Sequence, residues 1–176
     1  KMGFIRNLEA GEILEEIIRV NWYLEETGTK HSDGSLAKVT NIIFMGMGEP
    51  LNNLEQVHRV CCTLHHQKLF NLGRKRMTIS TSGVVPKIKE LVDRNTPCCL
   101  AVSLNSTNDE RRSAVMPVNK VWNIAKLLEA TDEYTKRTGN YVTFEFVLMK
   151  GITCSEEAAR ELIRICAPRR CKVNAI

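Results

Sequence analysis

Helical and strand-like segments alternate strictly along this 176-residue chain, and that alternation limits the fold more than any other feature. Apolar residues recur at helical spacing over 11–26, 53–67, 84–94, 122–138 and 155–166. Between them lie the runs "TNIIFMG", "RMTIST", "CCLAVSL", "YVTFEFVLM" and "CKVNAI", several of them apolar on both faces, as buried parallel strands are. Strands joined through helices cross over right-handedly, so the sheet is expected to be parallel, either open or closed into a barrel. The chain opens on a helix and ends on a strand, which predicts a further strand before residue 1 and a sequence that is part of a longer protein. Ser155 ahead of Glu156 and Glu157 predicts a helix start, with Pro168 marking its end. The polar stretch "GTKHSDGSLAK" (28–38) predicts a solvated surface turn.

In parallel α/β folds the chemistry gathers in the loops that follow the strands' C-terminal ends. Four such ends carry polar motifs: "GMGEP", "STSG" (Ser80 to Gly83), "SLNS" (Ser103 to Ser106) and "MKG" (Met149 to Gly151). Glycines there let a ligand approach the backbone, and serines with asparagine offer small neutral hydrogen-bonding groups. Glu49 supplies the one carboxylate of these motifs, suited to an ammonium or a ribose hydroxyl, and Pro50 fixes the exit angle into the next helix. Neither G-x-G-x-x-G nor G-x-x-x-x-G-K-[ST] occurs, which argues against a nucleotide phosphate cradle. The motifs therefore read either as a site for a zwitterionic, ribose-bearing ligand or as ordinary tight turns.

Basic residues divide by face. Arg74, Lys75 and Arg76 precede a strand and are expected on the far face, in solvent. Arg111, Arg112, Asn119, Lys120 and Lys150 follow strands, and beside a pocket they would hold a polyanion backbone; the alternative is scattered loop charge. A net charge of +5 permits an anionic partner without demanding one. No apolar run approaches the roughly 20 residues of a membrane span, and no signal peptide opens the chain.

The seven cysteines, at 61, 62, 98, 99, 154, 166 and 171, form an odd set with two adjacent pairs, a pattern of a reducing compartment. Their spacing matches no zinc or iron–sulfur run. Cys98 and Cys99 enter an apolar strand, and Cys61 shares a helix face with Leu54, Val57 and Leu64, so these are expected in the core. His65 and His66 are neighbours on a helix and point apart, which predicts surface histidines rather than a metal pair.

"GMGEPLNN", "STSGVVPKI", "LAVSLN", "MPVNK" and "VTFEFVLMKG" resemble, in order and spacing, the radical S-adenosylmethionine (SAM) adenine C2-methyltransferases of large-subunit ribosomal RNA and transfer RNA. "MGFIRNLEAGEI" is similar to the segment that follows the cluster loop of that family, and the resemblance runs from about Gly3 to Ile176. It implies an α/β fold, a parallel partial (β/α)6 TIM-like barrel with its first strand missing, and one radical-SAM core domain over 1–176. It implies that Gly48 and Glu49 meet the methionine end of SAM, that Ser80 is a second contact, and that Ser103, Leu104 and Asn105 form a third. Relatives often carry histidine at the position of Asn105, and commonly an acid at that of Cys154.

The resemblance also implies a [4Fe–4S] cluster whose C-x-x-x-C-x-x-C ligands lie before residue 1, two catalytic cysteines outside the segment, and a further SAM-contacting asparagine after Ile176. In such enzymes the cluster reduces SAM, and the resulting 5′-deoxyadenosyl radical activates a methyl group carried on a protein cysteine, which adds to carbon 2 of adenine. The implied partners are rRNA, tRNA and an electron donor such as flavodoxin, with a cytoplasmic monomer, or an organellar one in a eukaryote. Three other readings stay open: the sister branch acting at adenine carbon 8, an RNA-binding barrel without chemistry, and a barrel enzyme for a phosphorylated small molecule.

Overall fold

The computed structural model describes residues 3–176; Met2, the first residue of "MGFIRNLEAGEI", lies outside them with Lys1. Five strands, β1 (Ile42–Phe44), β2 (Met77–Thr81), β3 (Cys99–Ser103), β4 (Val142–Phe146) and β5 (Cys171–Ala175), form one sheet in sequence order. Every pairing is parallel. Strand order equal to chain order is what successive right-handed crossovers produce as a sheet curls, and the five strands make a partial barrel.

The helices are α1 (Ala10–Glu26), α2 (Leu54–His65), α3 (Val85–Asp93), α4 (Asp109–Val115), α5 (Ile124–Thr138) and α6 (Glu156–Cys166). Five were expected, and α4 was not. Its sequence, "DERRSAV", carries no apolar stripe, and the segment turns helical because the Asn108 side chain accepts from Glu110 N at 2.9 Å and Arg111 N at 3.1 Å. The start of α6 follows the sequence: Ser155 Oγ accepts from Ala158 N at 3.1 Å. Stretch 28–36 is exposed, closed by His31 N to Ser35 O at 2.9 Å.

Register sorts the two faces of the sheet. Parallel partners share a face, and residues two apart along a strand share it too. On one face Met77, Ile79, Leu100, Val102, Val142, Phe144 and Phe146 are buried in the core beneath the helices. Cys61, Leu54, Val57 and Leu64 reach the same core from α2, and Cys98 joins them. Burial pushes the Cys61 thiol up to about 12, so it behaves as a small hydrophobe. The opposite face carries Thr78, Ser80, Ala101, Ser103, Thr143, Glu145, Lys172 and Asn174. The strands are therefore not apolar on both faces throughout. The inner face is small and polar, and at its base the Lys172 ammonium lies 4.1 Å from the centre of the Tyr141 ring.

His65 and His66 are exposed, with His65 Nδ1 2.8 Å from Leu72 O. Lys75 and Arg76 are exposed and Arg74 half-buried just ahead of β2, at the end of the sheet opposite the motifs. Among the described residues no helix is long and apolar enough to cross a membrane.

Candidate functional site

The turn after β1 is built on two glycines with positive φ, Gly46 at 110° and Gly48 at 95°. A side chain at either would be strained in that backbone, and an added Cβ would meet no atom within 4 Å. The turn is thus bare backbone facing open space. Glu49 follows as the N-cap of a short 3-10 turn, Pro50–Asn53, and Pro50 occupies the position where its missing N–H is harmless. Glu49 Oε1 accepts from Leu51 N at 3.0 Å. Its Oε2 reaches the end of β2, accepting from Ser82 N at 2.8 Å and Ser82 Oγ at 2.7 Å. The carboxylate thereby ties the first strand end to the second.

Beside this clasp opens a cavity of about 340 Å³ lined by Met45, Gly46, Gly48, Glu49, Pro50, Ser80, Thr81, Ser82 and Ser103. Four of the residues singled out in the sequence, Gly48, Glu49, Ser80 and Ser103, meet here. Leu104 and Asn105 do not line it. Leu104 is fully buried, its N donating to Glu145 O at 3.0 Å and its O accepting from Arg112 Nε at 2.9 Å, so neither side chain nor backbone is open to a ligand. Asn105, at φ 54°, occupies the left-handed region that asparagine tolerates. Its amide is engaged on both sides: Nδ2 donates to Met116 Sδ at 3.4 Å, and Oδ1 accepts from Val147 N at 3.3 Å.

Behind the two serines stands a residue that the motifs did not single out. Glu145, 6% exposed, lies on β4 opposite Ser103 in register. Its Oε2 accepts from Ser80 Oγ at 2.9 Å and from Ser103 Oγ at 3.0 Å. The signal was present in "VTFEFVLM": a lone acid in an otherwise apolar strand is costly to bury and calls for a reason.

The expected polyanion contacts separate into three kinds. Arg112 is fully buried and bonds inward. Its Nε donates to Leu104 O at 2.9 Å, Nη1 to Asn119 Oδ1 at 2.9 Å, and Nη2 to Ser82 O at 2.8 Å and Ser103 O at 3.0 Å. Burial lowers its guanidinium to about 10, while the Asp109 carboxylate acts the other way. Asn119, 3% exposed, is held by Arg112, Asp109 and Ser113. Neither side chain can touch a polyanion, which corrects the expectation: both fasten the rim from beneath. Arg111 is half-buried against Glu161 at 3.3 Å. Lys120 and Lys150 alone of the set are exposed, in the loops that follow β3 and β4.

The hydroxyl protons of Ser80 and Ser103 go to Glu145 and that of Ser82 to Glu49, so these three side chains offer lone pairs to a ligand beside the Glu49 carboxylate. Such a wall suits a ligand end rich in N–H and O–H donors or carrying positive charge. Among the described residues no group of three His, Cys, Asp or Glu could hold a metal ion. Cys154, where an acid is common in the resembled family, is exposed in the loop before α6.

Comparison with known proteins gives one family. A family model described as the Radical SAM superfamily matches residues 33–163. The chain is 48% identical over 176 residues to the dual-specificity RNA methyltransferase RlmN of Bdellovibrio bacteriovorus, covering 100% of this chain and 41% of the relative. It is 38% identical over 174 residues to a probable dual-specificity RNA methyltransferase RlmN of Bacillus licheniformis, covering 99% of this chain and 46% of the relative. Among solved structures, a crystal structure of a radical SAM methyltransferase from Sphaerobacter thermophilus superposes with a TM-score of 0.89 at 39% identity, covering 99% of this chain and 49% of the other. The chain spans under half the length of each of these proteins.

Proposed function

This chain belongs to the radical SAM superfamily, and on that premise we propose that residues 1–176 are the cofactor-binding core of an RNA methyltransferase. The proposed reaction places a methyl group on carbon 2 of an adenosine in large-subunit rRNA, with tRNA as a second substrate. The observation that carries this reading is the acceptor-lined cavity at the strand ends of a chain that is 48% identical, end to end, to part of a dual-specificity RNA methyltransferase.

The cavity fits SAM on its chemistry. Glu49 and the hydroxyl oxygens of Ser80 and Ser103 would take the ammonium and hydroxyl donors of the cofactor, and Gly46 and Gly48 would let it lie against backbone. When bound, SAM supplies an adenosyl radical and a methyl group; the residues of this chain bind and orient it and keep water from the radical. The described residues do not supply a ligand set for a [4Fe–4S] cluster, and we assign its ligands and the catalytic cysteines to the remainder of the full protein. A one-electron donor such as flavodoxin, a monomeric state and a cytoplasmic location complete the proposal.

The test is mass spectrometry of nucleosides from a deletion strain complemented with the full-length gene. Restoration of 2-methyladenosine in 23S rRNA and tRNA is expected. An 8-methyladenosine product, or SAM cleavage with no methylated adenosine, would overturn the reading.

A further inference from the structure

We propose that Glu145 is a positioning residue that fixes the polarity of the cavity: it holds the hydroxyl protons of Ser80 and Ser103, leaving only their lone pairs for the ligand, and so selects for positive charge. The inference rests on the SAM reading above. Each serine hydroxyl has one proton, and both protons are given to the same carboxylate oxygen, at 2.9 and 3.0 Å. Of the two other hydroxyl residues that line the cavity, Ser82 gives its proton to Glu49 at 2.7 Å, and Thr81 Oγ1 accepts from Gly83 N at 3.1 Å. Three of the four hydroxyls at the cavity are thereby turned into acceptors by two carboxylates.

The charge of Glu145 is also unbalanced. It is 6% exposed, and neither it nor Glu49 takes part in an ion pair among the described residues. The neighbouring buried cation, Arg112, offsets part of that field but spends its donors on the carbonyls of Leu104, Ser82 and Ser103 and on Asn119. A buried carboxylate held by two neutral hydroxyls, with no cation bonded to it, is destabilising to the empty fold and becomes favourable once a cation arrives. Glu49 can serve the ammonium. A second carboxylate, behind the Ser80 and Ser103 that line the same cavity, adds attraction for a second positive centre, and SAM has one in its sulfonium.

S-adenosylhomocysteine separates the two roles, since it keeps the ammonium, carboxylate, ribose and adenine and loses only the sulfonium charge. Calorimetric titration of the full-length protein, its cluster reconstituted, with both ligands is the experiment. Wild type should bind SAM about tenfold or more tighter than S-adenosylhomocysteine. Glu145→Gln keeps the size and one acceptor but removes the charge, so SAM should weaken about tenfold, S-adenosylhomocysteine by threefold or less, and the preference should shrink. Equal binding of the two ligands by wild type, or an unchanged preference in the glutamine variant, overturns the inference while leaving the SAM site in place. Binding of neither ligand by wild type overturns the cofactor reading itself. Should the glutamine variant not fold, the pair S80A/S103A removes the same contacts from the cavity side; a SAM affinity within twofold of wild type would then dispose of the proposal.

Discussion

Removing Arg112 breaks four hydrogen bonds at once, three of them to carbonyls at or just beyond the ends of β2 and β3. Arg112→Met fills the volume but leaves those buried acceptors without donors, and we expect a loss of about 3–5 kcal/mol of stability in urea unfolding. Arg112→Lys keeps the charge but lacks the planar fork that spans the carbonyls, so it should recover less than half of that. A loss under about 1 kcal/mol in the methionine variant would show that the carbonyls find other donors. At the cavity itself, Glu49→Ala should weaken SAM binding by about 1–3 kcal/mol and Ser80→Ala by about 1 kcal/mol, read by titration calorimetry of the full-length protein. Because Glu49 also clasps Ser82 and caps the following turn, Glu49→Gln, which keeps an acceptor for that clasp, is the cleaner probe of charge. Unchanged affinity in all of these variants would remove both residues from the site.

The element most sensitive to a small change is the turn from β2 into α3. Gly83 sits there at φ +105°, and an added Cβ would stand 2.9 Å from Leu127 Cδ1 and 3.4 Å from Arg112 Nη2. Gly83→Ala therefore combines backbone strain with overpacking against a fully buried leucine of α5, and we expect a cost of about 2–4 kcal/mol in thermal or urea unfolding. Gly48, also at positive φ but facing open space, should lose less when changed to alanine, since only the backbone strain remains. A Gly83→Ala effect no larger than that of Gly48→Ala would mean that α5 yields freely. The comparison matters for function because the same turn carries Ser82, the partner of Glu49.

At the scale of the molecule, the sheet separates two environments: an apolar side under the helices and a polar inner side that opens at the strand ends, where the cavity lies. On the proposed reading, a base reaching such a cavity would have to be unpaired or flipped out of its stack, and we propose that the exposed Lys120 and Lys150, in loops after β3 and β4, hold the flanking phosphates. For the full-length protein, Lys120→Ala and Lys150→Ala should each weaken RNA binding across sequences and reduce the salt slope by about 0.7–0.9, the share of one phosphate contact. SAM affinity should stay as it was. Arg111→Ala should do less, since Arg111 is already engaged by Glu161 at 3.3 Å. A salt slope unchanged by both lysine variants would return these residues to ordinary surface charge.

The sequence by itself determined the class of fold and the end of the sheet at which to look. Apolar spacing in α2, α3, α5 and α6 and the runs between them specify parallel crossovers, and glycine, serine and proline at the strand exits mark the rim, because such residues answer to local backbone and burial requirements. α4 escaped because its seven residues follow a cap and not an apolar stripe. What only the tertiary structure decided is the fate of each charge. Arg112 and Lys120 look alike as loop cations, yet one is fully buried under three carbonyls and the other is in solvent, a difference set by which strand ends surround them. Glu145 became part of the site only when register set it opposite Ser103 and within reach of Ser80, 65 residues away in the chain. Hydrogen-bond partners are chosen by distance in space, and spacing along a chain does not carry that information until the sheet has formed.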